Sequence, residues 1–198
     1  MGRLSVLSLK QVVAAICLAL SFFALSGCER IGISELPVTT GEEKKLQELL
    51  FITLERTVIS DELLADKFRG PDLRIFTRPE DLEDEEELST VKELEDQLHA
   101  LDYEHNFAIL VLEGYQSACR SKQAMVTQIL RQGERIIVRA EFPGPPSEGE
   151  LMLGAVCLPY HLVSVRKDGD WGREMTFVLE GVTDGVETTL IETKHFIP

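Results

Sequence analysis

The sequence predicts an α+β domain dominated by antiparallel β-sheet, sandwich-like or partly rolled, with two or three helices in its N-terminal half. Two stretches of the front half, near 41–50 and 90–101, carry leucines at helical spacing, whereas short strand-like runs separated by turns fill the chain after Asp102. The composition, 44% hydrophobic and 27% charged, is that of a globular protein. Closely spaced strands joined by turns favour antiparallel pairing, so we expect one domain at 41–198.

The helix predictions rest on pairs of residues with the spacing of a helix N-terminal signal. The pairs are Thr40 with Glu43, Thr77 with Glu80 (with Pro79 between them), and Thr90 with Glu93. Leucines follow the first pair at 46, 49 and 50, and an apolar stripe follows the third at Val91, Leu94, Leu98 and Leu101. Such a stripe indicates a helix face turned toward a core.

The strand predictions follow alternation and short apolar runs. We expect strands at 51–58, 73–77, 107–112, 122–130, 134–142, 162–167, 173–180 and 186–193. The run 107–112 is entirely apolar, which predicts a strand buried on both faces. Gln132-Gly133 and Asp184-Gly185 are turn signals, and the proline-rich segment 143–149 predicts an exposed loop.

The first 27 residues have the features of an export signal. Arg3 and Lys10 precede an apolar run at 12–25 in which only Ser21 is polar. This run is shorter than the ~20 residues that a membrane-spanning helix needs, but it suits the apolar core of a secretory signal.

Leu25-Ser26-Gly27-Cys28 directly ends that run. The motif resembles the lipobox of bacterial lipoproteins. That resemblance implies cleavage between Gly27 and Cys28, lipidation of Cys28, a signal peptide at 1–27 and a lipid-anchored linker at 28–40. The alternatives are a plain signal, or a buried helix with an incidental cysteine. The lipoprotein reading predicts a protein of the bacterial cell envelope, anchored in a membrane and facing the periplasm or the cell exterior.

The charge balance excludes nucleic acid as a partner. Lys and Arg total 20 against 34 Asp and Glu, which gives a net charge of −14. Loss of residues 1–27 removes two positive charges, Arg3 and Lys10, and takes the net charge to −16. Nucleic-acid binding requires a basic surface, and this chain is strongly acidic.

Cys119 and Cys157 remain once Cys17 leaves with the signal and Cys28 carries lipid. An even pair in an oxidising compartment predicts a disulfide, worth about 4 kcal/mol for a loop of this length. The alternatives are two inert thiols or half a metal site, although neither cysteine has ligands at zinc-site spacing.

No pattern in the sequence indicates catalysis. The chain lacks an HExxH pair, a Gly-x-Ser-x-Gly elbow and a glycine-rich phosphate loop. The acidic run 80–87, part of an acidic segment at 80–96, contains no glycine, so it does not fit a calcium loop. We therefore expect a protein that is not an enzyme and that needs no metal or cofactor.

Three residues are candidate partner contacts. Tyr160 and His161 adjoin a strand core, where a packed or edge position competes with a ligand contact. Trp171 follows a turn, where it is either an exposed anchor for a partner or a cover for the end of the sheet.

Several segments resemble the PrcB-like C-terminal domain, found in bacterial lipoproteins and named for an accessory subunit of a surface protease complex. They are the apolar strand 107–114 ending in glycine, the strand 135–142 with its proline-rich loop, and the Pro-Tyr-His-hydrophobic strand 158–165; 54–56 and 73–76 fit its opening strands. The resemblance places a core at about 50–167 and supplies no catalytic residues. The chain departs from the family at Gly114-Tyr115, where Gly-Gly-Tyr is usual, and after Gly172.

These observations predict a lipid-anchored, non-catalytic protein-interaction or accessory module that stabilises a protease or another envelope complex. The alternative is an envelope carrier of a small apolar ligand or lipid, in which the sheet would enclose a cavity.

Overall fold

The computed structural model describes residues 45–60, 64, 67–120, 123–144, 152–183 and 185–198, all within one compact unit, Glu42–Pro198. The signal segment, Cys28, the linker and the pair Thr40 and Glu43 lie outside these residues. None of the helices described there has the length and apolar character needed to cross a membrane.

The described residues are mainly β-strand. The strands are β1 Gln47–Glu48, β2 Phe51–Ile59, β3 Asp72–Phe76, β4 Asn106–Leu112, β5 Cys119–Arg120, β6 Met125–Gln132, β7 Arg135–Glu141, β8 Met152–Leu153, β9 Leu158–Arg166, β10 Arg173–Thr183 and β11 Val186–Ile197. The one α-helix among them is α1, Lys92–His99, and a short 3-10 helix spans Pro79–Leu82.

The strands form two main sheets. The large sheet has the order β1-β6-β7-β10-β11, and the central sheet has the order β2-β9-β4-β3. Neighbouring strands pair antiparallel except β7 and β10, which are parallel. A small ribbon of β5 and β8 lies beside them. Gly133 and Gly185 have positive φ (64° and 78°) in the turns that join β6 to β7 and β10 to β11, as the turn signals predict.

The two middle strands of the central sheet, β9 and β4, are buried on both faces. Phe107, Ile109 and Val111 of β4 pack into a core shared with the large sheet. The alternate residues Ala108 and Leu110 pack into a second core beneath α1 and the turns before it. This arrangement confirms the prediction of a strand buried on both faces, since every second side chain of β4 enters a different core.

The predicted α+β class, with two or three helices in the N-terminal half, is wrong. The protein is mainly β, and the described N-terminal half contains α1 as its one α-helix. Two of the three helix N-terminal signals therefore do not lead to α-helices in the described residues.

The first helix fails because strand pairing takes over the segment. From residue 45 onward the chain is extended, and Gln47–Glu48 pair with β6 as the edge of the large sheet. Leu49 is buried between the sheets, whereas Leu46 and Leu50 are exposed. A helix would place the three leucines on one face, but here the chain crosses from one sheet to the other and buries only one of them.

The second helix stops after one turn. Asp81 accepts hydrogen bonds from the backbone N–H groups of Thr77 and Arg78, which closes the 3-10 helix, and turns follow through residue 90. Leu82 and Leu88 are both buried, yet residues six apart point about 120° away from each other around an α-helix. Turns bring both leucines into the same core, while Glu83, Asp84 and Glu86 between them stay exposed.

The third helix is confirmed as α1, with Leu94 and Leu98 buried against the central sheet. Its N-terminal capping is not as predicted. Val91 occupies the N-cap and makes no side-chain cap, and the Thr90 hydroxyl donates instead to the carbonyl of Glu87. The first backbone N–H groups of α1 thus lack a side-chain cap.

The disulfide prediction is confirmed. Cys119 and Cys157 are bonded, with their Cα atoms 5.6 Å apart. The bond joins β5 to the start of β9, so it ties the segment after β4 to the central sheet.

Candidate binding site

A cleft of about 480 Å³ opens where β2, β9 and the N-terminus of α1 meet. The residues that line it are Glu55, Thr57, Val58, Ile59, Ser60, Thr90, Val91, Lys92, Glu93 and Tyr160. It lies on the helix side of the central sheet, at the edge formed by β2.

Strand register places the β2 residues of the cleft. Thr57 lies opposite Tyr160 in the antiparallel pairing of β2 with β9. Side chains alternate along a strand, so Glu55 and Ile59 share the Tyr160 face with Thr57. Among the described strands β2 pairs with β9 alone, which leaves the outer backbone edge of β2 without a strand partner.

Tyr160 forms the floor of the cleft. The side chain is only 1% exposed, and its hydroxyl is buried without a hydrogen-bond partner among the described residues. Burial, together with the negative charges of Glu55 and Glu93, raises the pKa of Tyr160 to about 12. The group is therefore a neutral phenol, able to donate or accept a hydrogen bond that none of the described residues supplies.

The cleft carries unbalanced negative charge. In the described part of the chain, neither Glu55 nor Glu93 makes a salt bridge or a side-chain hydrogen bond. The one cation in the lining, Lys92, places its ammonium 2.8 Å from a carboxylate oxygen of Asp96. Two carboxylates thus face the cleft with no cation committed to them.

His161 lies on the opposite face of β9, between the two sheets. Its Nδ1 accepts the backbone N–H of Val126 at 2.8 Å, and its Nε2 lies 2.9 Å from the Thr53 hydroxyl. Because Nδ1 must accept, the neutral ring carries its proton on Nε2, which then donates to Thr53. Burial, together with the nearby charge of Arg56, lowers the pKa of His161 to about 4. The histidine acts as a neutral link between the sheets.

Trp171 covers one end of the core between the sheets. Its ring meets Phe107 edge-on with the centroids 5.4 Å apart, and the Arg131 guanidinium lies 4.2 Å from its centroid. The three candidate contacts therefore occupy three different environments: Tyr160 at the cleft, His161 between the sheets and Trp171 at the end of their shared core.

A second cleft, of about 330 Å³, lies beside the disulfide. Glu113 is buried there, accepts the backbone N–H of Ala124 at 2.8 Å and has Arg120 within 3.5 Å. Burial raises the pKa of Glu113, while the N–H of Ala124 and the charge of Arg120 act in the opposite direction. Arg120 also donates to the carbonyl of Gly144. These polar groups are thus paired with one another. Their contacts hold Gly144, in the segment that follows β7, beside Arg120 of β5.

Asp102, Glu104 and His105 come close enough together to hold a metal ion, and all three are exposed. Their geometry is that of a turn, because the Asp102 carboxylate accepts the backbone N–H of Glu104 and contacts His105 Nδ1 at 2.8 Å. The group thus has a structural explanation.

Sequence reasoning did not identify Glu55 and Glu93 as site residues. In the sequence, Glu55 belongs to the alternating run that predicts a strand at 51–58, and Glu93 belongs to a pair that predicts a helix N-terminus. The structure brings them to one cleft through the pairing of β2 with β9 and the packing of α1. Neither the strand pairing nor the helix packing leaves a local signal in the sequence.

No protein-family model matches the chain, and no curated protein or solved structure shows significant similarity to it. The likeness to the PrcB-like domain therefore stays a prediction.

Proposed function

We propose that the protein is a lipid-anchored, non-catalytic cell-envelope protein that acts as a protein-interaction or accessory module. The observation that carries the proposal is the cleft at the β2 edge. Within the described residues, this strand edge has no further strand partner, and it adjoins a buried hydroxyl without a hydrogen bond and two carboxylates without a salt bridge. Unpaired edges are a common docking surface for extended segments of other proteins.

The membrane attachment rests on the sequence. An apolar run of signal length leads into Leu25-Ser26-Gly27-Cys28, and two or three acyl chains on Cys28 would give stable anchoring. The net charge of −16 that remains once residues 1–27 are lost would repel anionic lipid, so the anchor rather than the protein surface would hold the protein at the membrane. An accessory role in a protease or another envelope complex is what the PrcB-like resemblance implies.

The chemistry of the cleft favours binding over catalysis. With a pKa of about 12, Tyr160 stays protonated near neutral pH, which suits hydrogen bonding better than proton transfer. The packing also favours a protein-interaction role over a role as carrier of an apolar ligand, because side chains from both sheets fill the space between the sheets.

Changing Cys28 to Ala should release the protein from membranes, because the acyl chains would have no attachment point. The measurement is fractionation of cells expressing the wild type or Cys28→Ala, with a high-salt wash and immunoblotting of both fractions. Ser26→Ala, which keeps a small residue inside the motif, is the matched control and should stay with the membrane.

Retention of Cys28→Ala in the washed membrane fraction would contradict the lipoprotein assignment. The proposed protein-interaction role is tested in the same cells, by crosslinking intact membranes before solubilisation. Recovery of lipid without a reproducible protein partner would contradict it.

A further inference from the structure

We propose that the β2 cleft binds an arginine or lysine side chain carried by an extended segment of a partner protein, which adds as a strand to the edge of β2 that pairs with no other described strand. This inference rests on the proposed function, and it names the partner chemistry that the cleft recognises.

The charges of the cleft call for a cation. Glu55 and Glu93 approach it from two different elements, β2 and α1, and neither makes a salt bridge with a described residue. Lys92 is engaged with Asp96. A guanidinium or ammonium group between the two carboxylates would supply the missing opposite charge, and the net charge of −16 of the chain without residues 1–27 would attract basic partners from a distance.

Tyr160 gives the cation a third contact. Its hydroxyl is buried and has no hydrogen-bond partner among the described residues, so its oxygen can accept an N–H hydrogen bond from the incoming group. Val58, Ile59 and Val91 line the cleft beside it. The aliphatic stem of an arginine or lysine can pack on these apolar walls while its charged end reaches the carboxylates.

The strand edge supplies the main-chain part of the recognition. An added strand would pair with the outer backbone groups of β2, and its side chains would point alternately to the two faces of the central sheet. A residue that points to the Thr57 face would enter the cleft. Main-chain pairing would thus give affinity, and the basic side chain would give specificity.

The same cleft does not suit an anion. The N-terminus of α1 by itself would attract negative charge. However, Glu93 lies in the first turn of α1 and Glu55 faces it across the cleft, so an anion would meet two carboxylates. The geometry points to a cation.

The first test is a titration followed by NMR amide shifts. N-acetyl-L-arginine amide is the probe, and N-acetyl-L-citrulline amide, its neutral isostere, is the control. The arginine amide should shift amides at 57–60 and 90–93 and saturate, whereas the citrulline amide should bind at least about tenfold more weakly, the effect of one well-placed charge pair. A short peptide of alternating threonine and valine with a central arginine should also protect β2 amides from hydrogen exchange.

Variants test which side chains of the cleft contact the arginine amide. Glu55→Gln combined with Glu93→Gln should abolish the preference for arginine over citrulline, whereas Glu95→Gln, on the same helix but outside the cleft, should keep it. Tyr160→Phe should weaken the arginine amide roughly three- to tenfold, the loss of one hydrogen bond to a charged group. This variant should leave the thermal stability of the free protein unchanged or raised, because the lost hydroxyl has no partner.

The outcomes separate this inference from the proposed function. Equal binding of the two amides, unsaturable shifts, or an unchanged preference in the double Gln variant would overturn the basic-strand proposal. If protein partners were still recovered by membrane crosslinking, the interaction module would stand with a different docking site. A preference for arginine with no crosslinked partner would support the cleft's selectivity and contradict the interaction role.

Discussion

Replacing both Cys119 and Cys157 with alanine should lower the free energy of unfolding by about 4 kcal/mol. The bond spans 38 residues, and removing it restores the conformational freedom of that loop in the unfolded chain. Both cysteines are buried, so alanine keeps an apolar side chain at each position. Urea unfolding of the wild type and the double variant, followed by circular dichroism, measures the difference.

Reduction provides the control. A thiol reductant should destabilise the wild type by a similar amount and leave the double alanine variant unaffected. Two free thiols in the exported wild-type protein, or equal stability of wild type and variant, would contradict a structural role for this bond.

Acid should destabilise the wild type more than a His161→Asn variant, by roughly 3 kcal/mol between pH 7 and pH 4. The pKa of His161 is lowered to about 4 in the folded protein, against 6.5 when exposed. The stabilisation is therefore complete above pH 6.5 and is lost as the pH falls through the folded pKa, since the unfolded chain binds the proton first. Each pKa unit is worth 1.36 kcal/mol.

Asparagine is the chosen replacement because its Oδ1 can accept the Val126 N–H in place of Nδ1, yet it does not titrate. The variant should be less stable near neutral pH, having lost the contact with Thr53, but its stability should fall less on acidification. Urea unfolding at several pH values gives both curves. Parallel curves would show that His161 does not link folding to pH.

The strands were predictable because their signal is local. The apolar run 107–112 indicates a strand buried on both faces, and the alternation at 51–58 indicates a strand, as β4 and β2 show. The disulfide was predictable from the number of cysteines together with the oxidising compartment that the export signal predicts. Only the choice among bonded, free and metal-bound cysteines needed the fold.

The helices were harder because leucine spacing does not reveal what a segment packs against. Leu46, Leu49 and Leu50 have helical spacing, but pairing of Gln47–Glu48 with β6 makes the segment extended. Leu82 and Leu88 reach one core through turns. In both places a tertiary contact overrides the local pattern.

The cleft could be predicted only in part. The sequence indicated Tyr160 as a candidate partner contact. Its burial, and the lack of a hydrogen-bond partner for its hydroxyl among the described residues, depend on the packing of the core beneath α1. Glu55 and Glu93 are 38 positions apart and meet only through the register of β2 and the packing of α1. A site assembled from distant segments carries no spacing signal that one sequence can show.

Site-specific photocrosslinking in intact cells tests the central claim most directly. A photoreactive residue at Ser60, exposed at the rim of the cleft, is compared with one at Thr127, exposed on the large sheet. The membrane-anchored protein should give a defined adduct from Ser60 and not from Thr127, and the adduct should disappear when Glu55→Gln and Glu93→Gln are combined. Equal adducts from both positions, or no adduct from Ser60, would contradict an interaction module that works through this cleft.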